Sequence, residues 1–378
     1  MTPYLYKQDY HGHGDEDRIG PLPSWIDCQV TEERNGEFYL EGTLPVGGRN
    51  VDELAIDRII MCASCPPRPA SGVSGDPFQA YHPLQPFRIR KVTKPAENVV
   101  QVTAHHVSYQ LTENIVQPFN LNYSSVQTFF NNLLNYSGSL TGYVIPAIPG
   151  FVFISDIESA NAIQINHNDP TSVRALLGGE GGIQDLFGGE FDWNGWEVYL
   201  RDDGGYSPRG RPTDIEIKYA KNMASLEFET NADGLITGYY GYYKGPPFKC
   251  CALYKDGAGT FAYERIAAVD LSSEFESTPT DQELEDALQT YMDTQHDDTL
   301  PTSITVTAVP DVLQNIFLCD QITVIHPEFK IKQTMKVVRT VYDPIRERYT
   351  AVTIGEIPND ITDTIAVLWR DTKNELFV

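Results

Sequence analysis

The stretch GGEFDWNGWEVYL, residues 188–200, holds two of the chain's four tryptophans together with three carboxylates. Apolar and polar residues alternate on both sides of the Asn194-Gly195 dipeptide, as they do in two strands joined by a tight turn. A type I′ turn needs positive φ at both central residues, and Asn and Gly are the residues that tolerate it best. The sequence therefore predicts a β-hairpin with Asn194 and Gly195 at its tip.

One face of this hairpin is predicted to be apolar. With a two-residue turn, Trp193 lies opposite Trp196, and Phe191 lies opposite Val198. The four large side chains then share a face, where cross-strand aromatic contacts add to the stability of the pair. We therefore predict that they form a structural hairpin core.

The other face is predicted to be acidic. Glu190, Asp192 and Glu197 fall on it, with Asp192 directly opposite Glu197, so the carboxylates point into water or share a proton or a metal ion. A glycosidase needs two carboxyl groups about 5–9 Å apart, one of them in an apolar pocket. The hairpin would bring two carboxylates close together, but no apolar pocket is predicted around them. We therefore expect a solvated polar face, with metal binding and catalysis as the alternatives.

The length and charge of the chain limit the number of domains and the classes of partner that it can have. The chain has 378 residues, more than one core usually supports, so we expect two to four domains. Lys plus Arg number 28 and Asp plus Glu number 52, so the net charge is 28 − 52 = −24. This charge disfavours binding to nucleic acid and to anionic membranes.

Neither membrane insertion nor secretion is predicted. No apolar stretch reaches the roughly 18 residues of a membrane-spanning helix. The first residues lack the basic and apolar regions of a secretory signal. Six cysteines are too few for a disulfide scaffold, so we expect reduced thiols and synthesis in a cytoplasm.

Secondary structure is predicted to be mainly β with helices in the middle of the chain. Helical spacing of apolar residues and capping signals predict helices over residues 125–136, 170–177 and 281–293. Asp169 is predicted to cap the second helix, and Thr280 with Glu283 is predicted to form a capping box at the third. Alternation predicts strands over residues 37–44, 86–92, 99–107, 303–309, 321–327, 333–343 and 348–356. This order indicates an α+β fold with segregated elements.

Other candidate sites are weaker. Cys62 and Cys65 have redox-motif spacing, but the prolines that follow block a helix, so ordinary thiols are expected. In HGHGDED, His11, His13 and Asp15 could bind a metal, although the glycines favour a flexible loop. We predict no catalytic, cofactor-binding or metal-binding residues.

Several motifs follow one another in a characteristic order. They are PFRIRKV (86–92), VTAHHVSYQL (102–111), the block SVRALLGGEGGIQDLFGGEFDWNGWEVYLRDD (172–203), IEIKYAKNMASLEFETN (215–231), LCDQITVIHPEF (318–329) and RTVYDPIRERYTAVTIGE (339–356). Their order resembles the phage and prophage tail-hub family, whose members are labelled prophage endopeptidase tail or tail-associated lysin. The resemblance covers roughly residues 80–370.

The resemblance implies a baseplate-hub-like fold with two similar β-barrel-like domains and helix-containing inserted domains. It implies a homotrimeric ring that closes the tail tube and contacts tail-tube, distal tail and tip proteins. The implied segments are a first barrel-like domain (1–112), a mixed insertion (113–212), a second barrel-like domain (213–250 and 302–358), a helical insertion (251–301) and a C-terminal segment (359–378).

The sequence departs from the family pattern in two ways. Cys319 stands where a glycine is expected, which predicts a changed turn. The family's lytic activity is expected to reside in extensions beyond the hub, and this chain ends at Val378, so enzymatic activity is not expected.

Three functions therefore remain. The first is a structural virion protein, made in a bacterial cytoplasm and assembled into the tail tip. The second is a cell-wall peptidase or glycosidase that uses the three hairpin carboxylates. The third is a host-surface carbohydrate-binding module, indicated by clustered aromatics such as GYYGYYKG (238–245), although these tyrosines could instead pack between domains.

Overall fold

The structure is a computed structural model. It describes residues 1–12, 14, 16–67, 83–94, 98–135, 140, 142–146, 148, 150–179, 181–202, 209–218, 221, 223–230, 235–255, 262–275, 277–294, 302–308, 316–326 and 331–355. The expectation of a mainly β chain with helical elements between groups of strands is confirmed.

Strands are numbered in chain order. Those of the first half are β1 (Tyr4–Tyr6), β2 (Arg18–Pro21), β3 (Asp27–Glu33), β4 (Phe38–Pro45), β5 (Ile59–Ala63), β6 (Leu84–Thr93), β7 (Val99–His106), β8 (Ile115–Val116), β9 (Phe119–Ser125), β10 (Val144–Ile145), β11 (Val152–Ser155), β12 (Glu158–His167) and β13 (Thr171–Ser172). Those of the second half are β14 (Glu190–Asn194), β15 (Glu197–Arg201), β16 (Pro212–Lys218), β17 (Met223–Thr230), β18 (Gly238–Tyr243), β19 (Lys249–Tyr254), β20 (Ile266–Asp270), β21 (Thr302–Ala308), β22 (Gln321–His326), β23 (Ile331–Asp343) and β24 (Arg348–Gly355).

Among the described residues, every helix but one is short. The α-helices there are α1 (Val126–Phe129), which continues as a π-helical turn (Phe130–Leu134), α2 (Val173–Gly178), α3 (Ile183–Phe187) and α4 (Asp281–Thr294). Short 3-10 helices cover Val107–Thr112 and Ser272–Glu274.

The chain divides into two compact units. Unit 1 contains Met1–Glu227 and Ile304–Gly355, and unit 2 contains Phe228–Ser303. In unit 1 a large sheet has the strand order β17-β21-β24-β23-β3-β4-β7-β6-β5-β1-β2, with β22 pairing β23 and β16 pairing β22. The described strands show no pairing between the two ends of this order.

The pairing of β3 with β23 joins distant parts of the sequence. Val30 on β3 pairs with Tyr342 on β23 and with Leu40 on β4, and all three side chains are buried. Strands from both segments predicted as barrel-like domains therefore lie in one sheet. The predicted segment boundaries themselves remain a prediction.

The helix predicted over residues 125–136 is present but irregular. Ser125 caps it, since its hydroxyl accepts a hydrogen bond from the Thr128 amide at 3.4 Å. The π-helical turn then changes the period of the last five residues. The predicted apolar stripe is buried; its members are Val126, Phe129, Phe130, Leu133 and Leu134.

The helix predicted to start at Pro170, capped by Asp169, starts later. Thr171 pairs with Val116 in a short strand contact, which holds the chain extended up to Ser172. The Ser172 hydroxyl then accepts a hydrogen bond from the Ala175 amide at 3.1 Å and caps α2. The predicted cap was wrong because a tertiary strand contact moves the start of the helix.

Unit 2 consists of a three-stranded sheet, ordered β19-β18-β20, with α4 against one face. The predicted capping box of α4 is confirmed. The Thr280 amide donates to Glu283 Oε2 at 2.7 Å, and the Glu283 amide donates to Thr280 Oγ1 at 3.2 Å. Leu284, Leu288 and Met292 form its buried side.

The turn before β22 keeps a glycine-like conformation although it contains Cys319. The φ of Cys319 is +70°, in the left-handed region. The turn is fixed by Asp320, which accepts hydrogen bonds from the amides of Phe317 at 3.0 Å and Arg211 at 3.1 Å. These bonds draw the chain at Gly210 onto the turn, so that a Cβ on Gly210 would lie 1.9 Å from the Cys319 carbonyl oxygen.

Gly210→Ala is therefore expected to destabilise the fold by about 2 kcal/mol or more, because two backbone segments must separate to admit one methyl group. Gly36→Ala is the control, since its Cβ would meet only the flexible Glu33 side chain at 3.1 Å. Urea unfolding measures both variants. An equal loss in the two would contradict the close approach at Gly210.

Candidate functional site

The hairpin at residues 190–201 is present, but its predicted register was wrong. Asn194 pairs with Glu197, Trp193 with Val198 and Phe191 with Leu200. Gly195 and Trp196 are therefore the two turn residues. Gly195 has a φ of +63° at the first central position, as in a type II′ turn.

Gln85 on β6 explains the shift. Its side-chain oxygen accepts a hydrogen bond from the Gly195 amide at 2.8 Å, and its amide group donates to the Asn194 side-chain oxygen at 3.2 Å. Asn194 is thereby held as the last strand residue instead of a turn residue. Trp196 leaves the hairpin face and makes an edge contact with Tyr10 at a centroid distance of 5.6 Å.

The apolar face of the hairpin is buried in unit 1. Phe191, Trp193 and Val198 are each at most 1% exposed, and the rings of Phe191 and Trp193 stack at 5.0 Å. The guanidinium of Arg174, itself buried, lies 4.3 Å from the Trp193 ring centroid. A cation above an indole face adds attraction to the burial of the ring.

The opposite face is also buried, so the expectation of a solvated acidic face was wrong. Glu190 is 0% exposed and Asp192 is 1% exposed. Because an isolated buried carboxylate is very unfavourable, each needs cations or donors close by. The structure supplies both, in what is called here the hairpin ion network: Glu32, Arg34, Glu190, Asp192, Arg201, Arg209 and Lys336.

Glu190 contacts two cations at once. Arg34 Nε lies 2.9 Å from its Oε1 atom, and Lys336 Nζ lies 2.7 Å from the same oxygen. Burial alone would raise the pKa of Glu190, but Arg34, Cys319 and Lys336 together hold it below its usual value. Glu190 is therefore charged in the folded protein.

Asp192 and Glu32 are joined through Arg209. Arg201 Nη2 lies 2.6 Å from Asp192 Oδ2, and Arg209 Nε lies 3.6 Å from Asp192 Oδ1. Arg209 also pairs with Glu32 and donates to the carbonyl oxygen of Phe191. One guanidinium thus links β3 to both the backbone and a side chain of β14.

Glu197 lies apart from this network, near the turn. Its Oε2 accepts hydrogen bonds from the Tyr199 hydroxyl at 2.8 Å and the Asn194 amide group at 3.3 Å. Burial, with the Glu197 charge, raises the pKa of Tyr199 above its ordinary value, so the phenol stays a donor. The predicted pairing of Asp192 with Glu197 is replaced by Asp192 with Tyr199.

This arrangement is structural in character. A glycosidase acid needs a raised pKa and access to substrate. Glu190 has a lowered pKa, and both it and Asp192 are buried and engaged by cations. Their geometry favours a joint that fixes the hairpin over an acid/base pair.

The other candidate residues form no further functional site among the described residues. Among the described residues, no three His, Cys, Asp or Glu side chains are grouped to hold a metal ion. His13 and Asp15 lie outside the described residues, and His11 contacts Trp196 at 6.3 Å between ring centroids. Cys62 and Cys65 are both buried.

The cations of the network were missed from the sequence. Arg201 could have been found, since it lies two residues beyond Tyr199 on the same strand face. Arg34, Lys336 and Glu32 come from distant parts of the chain, and Arg209 lies beyond the end of β15, so no strand pattern points to their contact with the hairpin.

Residues 211–365 match the family model described as prophage endopeptidase tail. The predicted resemblance to the prophage tail family is confirmed. The match contains β16–β24, including Lys336 of the network. Among curated proteins, none matches the chain significantly in sequence.

Solved prophage tail proteins share the fold over nearly the whole chain. The prophage tail protein gp18 from Listeria monocytogenes EGD-e has a TM-score of 0.56 at 12% identity, covering 99% of this chain and 100% of that one. The 43 kDa tail protein of prophage MuSo2 from Shewanella oneidensis has a TM-score of 0.57 at 9% identity, covering 96% and 99%. A tail protein from Neisseria meningitidis MC58 has a TM-score of 0.54 at 9% identity, covering 96% and 98%.

Replacing Arg209 tests the hairpin ion network. Arg209→Leu is expected to destabilise the fold by about 3–5 kcal/mol, because Glu32 and Asp192 stay buried with a cation removed. The double variant Glu32→Leu/Arg209→Leu is expected to recover part of this loss. Urea unfolding of the single, double and unmodified chains measures both effects.

Lys218→Met is the matched control, since its pair with Glu216 is 39% and 45% exposed. This variant is expected to lose less than about 1 kcal/mol. A loss for Arg209→Leu as small as that of the control would contradict the structural role of the network.

Glu33 gives the fold a pH dependence. Burial and the neighbouring Glu37 raise its pKa from 4.5 to about 7, against the opposing charge of Arg339. A carboxyl group with a raised pKa in the folded state contributes its full stabilisation at a pH below the pKa it has in the unfolded chain. This contribution is lost as the pH rises through the folded-state pKa of about 7.

Glu33→Gln is therefore expected to be more stable than the unmodified chain at about pH 8, with a smaller difference at about pH 5. Burial lowers the pKa of His105 to about 4, so acid also destabilises the fold, but this effect is common to both proteins. Denaturant titrations at the two pH values give the difference. A difference that does not change with pH would contradict the raised pKa of Glu33.

Proposed function

We propose that this chain is a structural phage or prophage tail protein, a hub at the distal end that closes the tail tube and connects it to the tip. The observation that carries the proposal is the family match over residues 211–365. The fold shared with solved tail proteins over 96% or more of the chain supports it.

The hairpin chemistry supports a non-enzymatic role. The carboxylates that could have served a peptidase or glycosidase are held in buried ion pairs. Such pairs fix the position of the hairpin. The family match supports a role in the tail, and the endopeptidase activity named in the family label is not part of the proposal.

Assembly is proposed as a homotrimeric ring. Closed rings of identical chains use two different surfaces of each chain, and the two barrel-like segments, 1–112 and 213–250 with 302–358, would supply them. Residues 113–212 and 251–301 would be the insertions and 359–378 a C-terminal segment. The net charge of −24 would keep DNA from being retained in the lumen.

The proposed partners are the neighbouring tail-tube, distal tail and tip proteins. The chain would be made in a bacterial cytoplasm and assembled into the virion tail tip. Among the described residues, no helix has the length and apolarity needed to cross a bilayer.

Sedimentation of the purified chain, alone and with the tail proteins encoded beside it, tests the assembly. The expected species is a trimer of the 42.4 kDa chain, about 127 kDa, formed alone or on addition of those neighbours. A chain that stays monomeric at high concentration and in every mixture would contradict the ring.

A further inference from the structure

The small sheet of unit 2 has two different faces. Tyr239 packs against Tyr291 of α4, with ring centroids 5.4 Å apart, and Tyr243 contacts Phe275 at 6.3 Å. The alternate residues of β18 point the other way. Half of the tyrosines in GYYGYYKG therefore build the core of the unit, and the other half lie on the face opposite α4.

This second face is apolar although it is not covered by α4. A sheet face that is open to solvent usually carries polar residues. Here Phe248 is 58% exposed and Tyr254 is 56% exposed. The register of this mixed sheet places Tyr240, Tyr242, Ala252, Tyr254 and Ile266 on the face, with Asp270 beside Tyr242. Contiguous exposed apolar surface of this kind marks a binding site.

Three of the rings form a strip. Phe248 lies 6.2 Å from Tyr242 at an interplanar angle of 21°, and Tyr242 lies 6.4 Å from Tyr240 at 36°. Tyr240 pairs with Ala252 on one neighbouring strand and Ala268 on the other. Since alanine is small, these neighbours leave Tyr240 partly exposed, and the row of three rings suits an extended, linear ligand.

Polar groups border the strip at one end. Lys244 Nζ lies 2.6 Å from Asp270 and 5.8 Å from the Tyr242 ring centroid. Lys244 is 65% exposed, so this ion pair can exchange hydrogen bonds with a ligand that reaches the end of the strip. The tyrosine hydroxyls add neutral donors and acceptors beside the rings.

We propose that this face, the Tyr240–Tyr242–Phe248 strip with the Lys244–Asp270 pair, binds a linear neutral polysaccharide. The faces of aromatic rings carry partial negative charge, which attracts the C–H groups of a sugar ring and repels anions. A protein surface rich in carboxylates would place negative charge against these electron-rich ring faces, whereas a neutral polysaccharide carries no charge. Sugar hydroxyls match the phenols and the ion pair.

The inference goes beyond the proposed function, because it assigns glycan recognition to a surface of unit 2. A tail hub without glycan binding is fully consistent with the fold. If the chain binds no glycan, the proposed structural role is unaffected. If the chain forms no trimer, glycan binding can still be measured on the monomer.

Isothermal titration of the full chain tests the site, with soluble linear β-1,4-linked oligomers of N-acetylglucosamine and of glucose as the probes. Saturable binding to at least one probe is expected. Tyr240→Ala/Tyr242→Ala is expected to weaken it at least tenfold, since two stacking surfaces are removed. Tyr263→Ala removes a ring that is 63% exposed but precedes β20, and is expected to leave the affinity within about twofold.

Circular dichroism and thermal melting establish that each variant is folded. Tyr242→Phe keeps the ring and removes the hydroxyl, so this variant is expected to retain most of the affinity. Absence of binding to every probe would overturn the proposal. So would an unchanged affinity in the folded double variant. Self-association that the double substitution abolishes, with no binding to any probe, would assign the face to a contact between copies.

Discussion

The buried guanidinium of Arg209 is the contact on which the architecture of unit 1 depends. It binds Glu32 on β3, the Phe191 carbonyl on β14 and the Asp192 carboxylate. These groups belong to two different sheets, and all of them are buried. The contact therefore docks the edge of the hairpin sheet onto the large sheet. On the same edge, Asn35 accepts a hydrogen bond from the Phe191 amide at 2.9 Å.

The carboxylates of the hairpin acquire their role from this docking. A buried acidic pair could serve catalysis only if one member stayed neutral and reached a substrate. In this chain Lys336 and Arg34 hold Glu190 charged, and Asp192 forms an ion pair with Arg201. The same residue types that suggest an enzyme therefore form a joint between the hairpin and the large sheet.

Local patterns predicted the elements well and their tertiary contacts poorly. Apolar spacing placed the helix at residues 281–293 and its capping box, since both depend on neighbours in the sequence. The hairpin register failed because Gln85, about 110 residues away, holds Asn194 in the strand. The sequence also could not predict the contact of Asp192 with Arg209, because this contact exists only where the hairpin sheet is docked on the large sheet.

Electron cryomicroscopy of tail particles released from induced cells tests the central claim most directly. The account predicts that this chain appears as a threefold ring at the distal end of the tail tube, with the hairpin of residues 190–201 docked on the large sheet of each copy. Particles whose distal density lacks this chain, or which carry it elsewhere in other than threefold symmetry, would contradict the account.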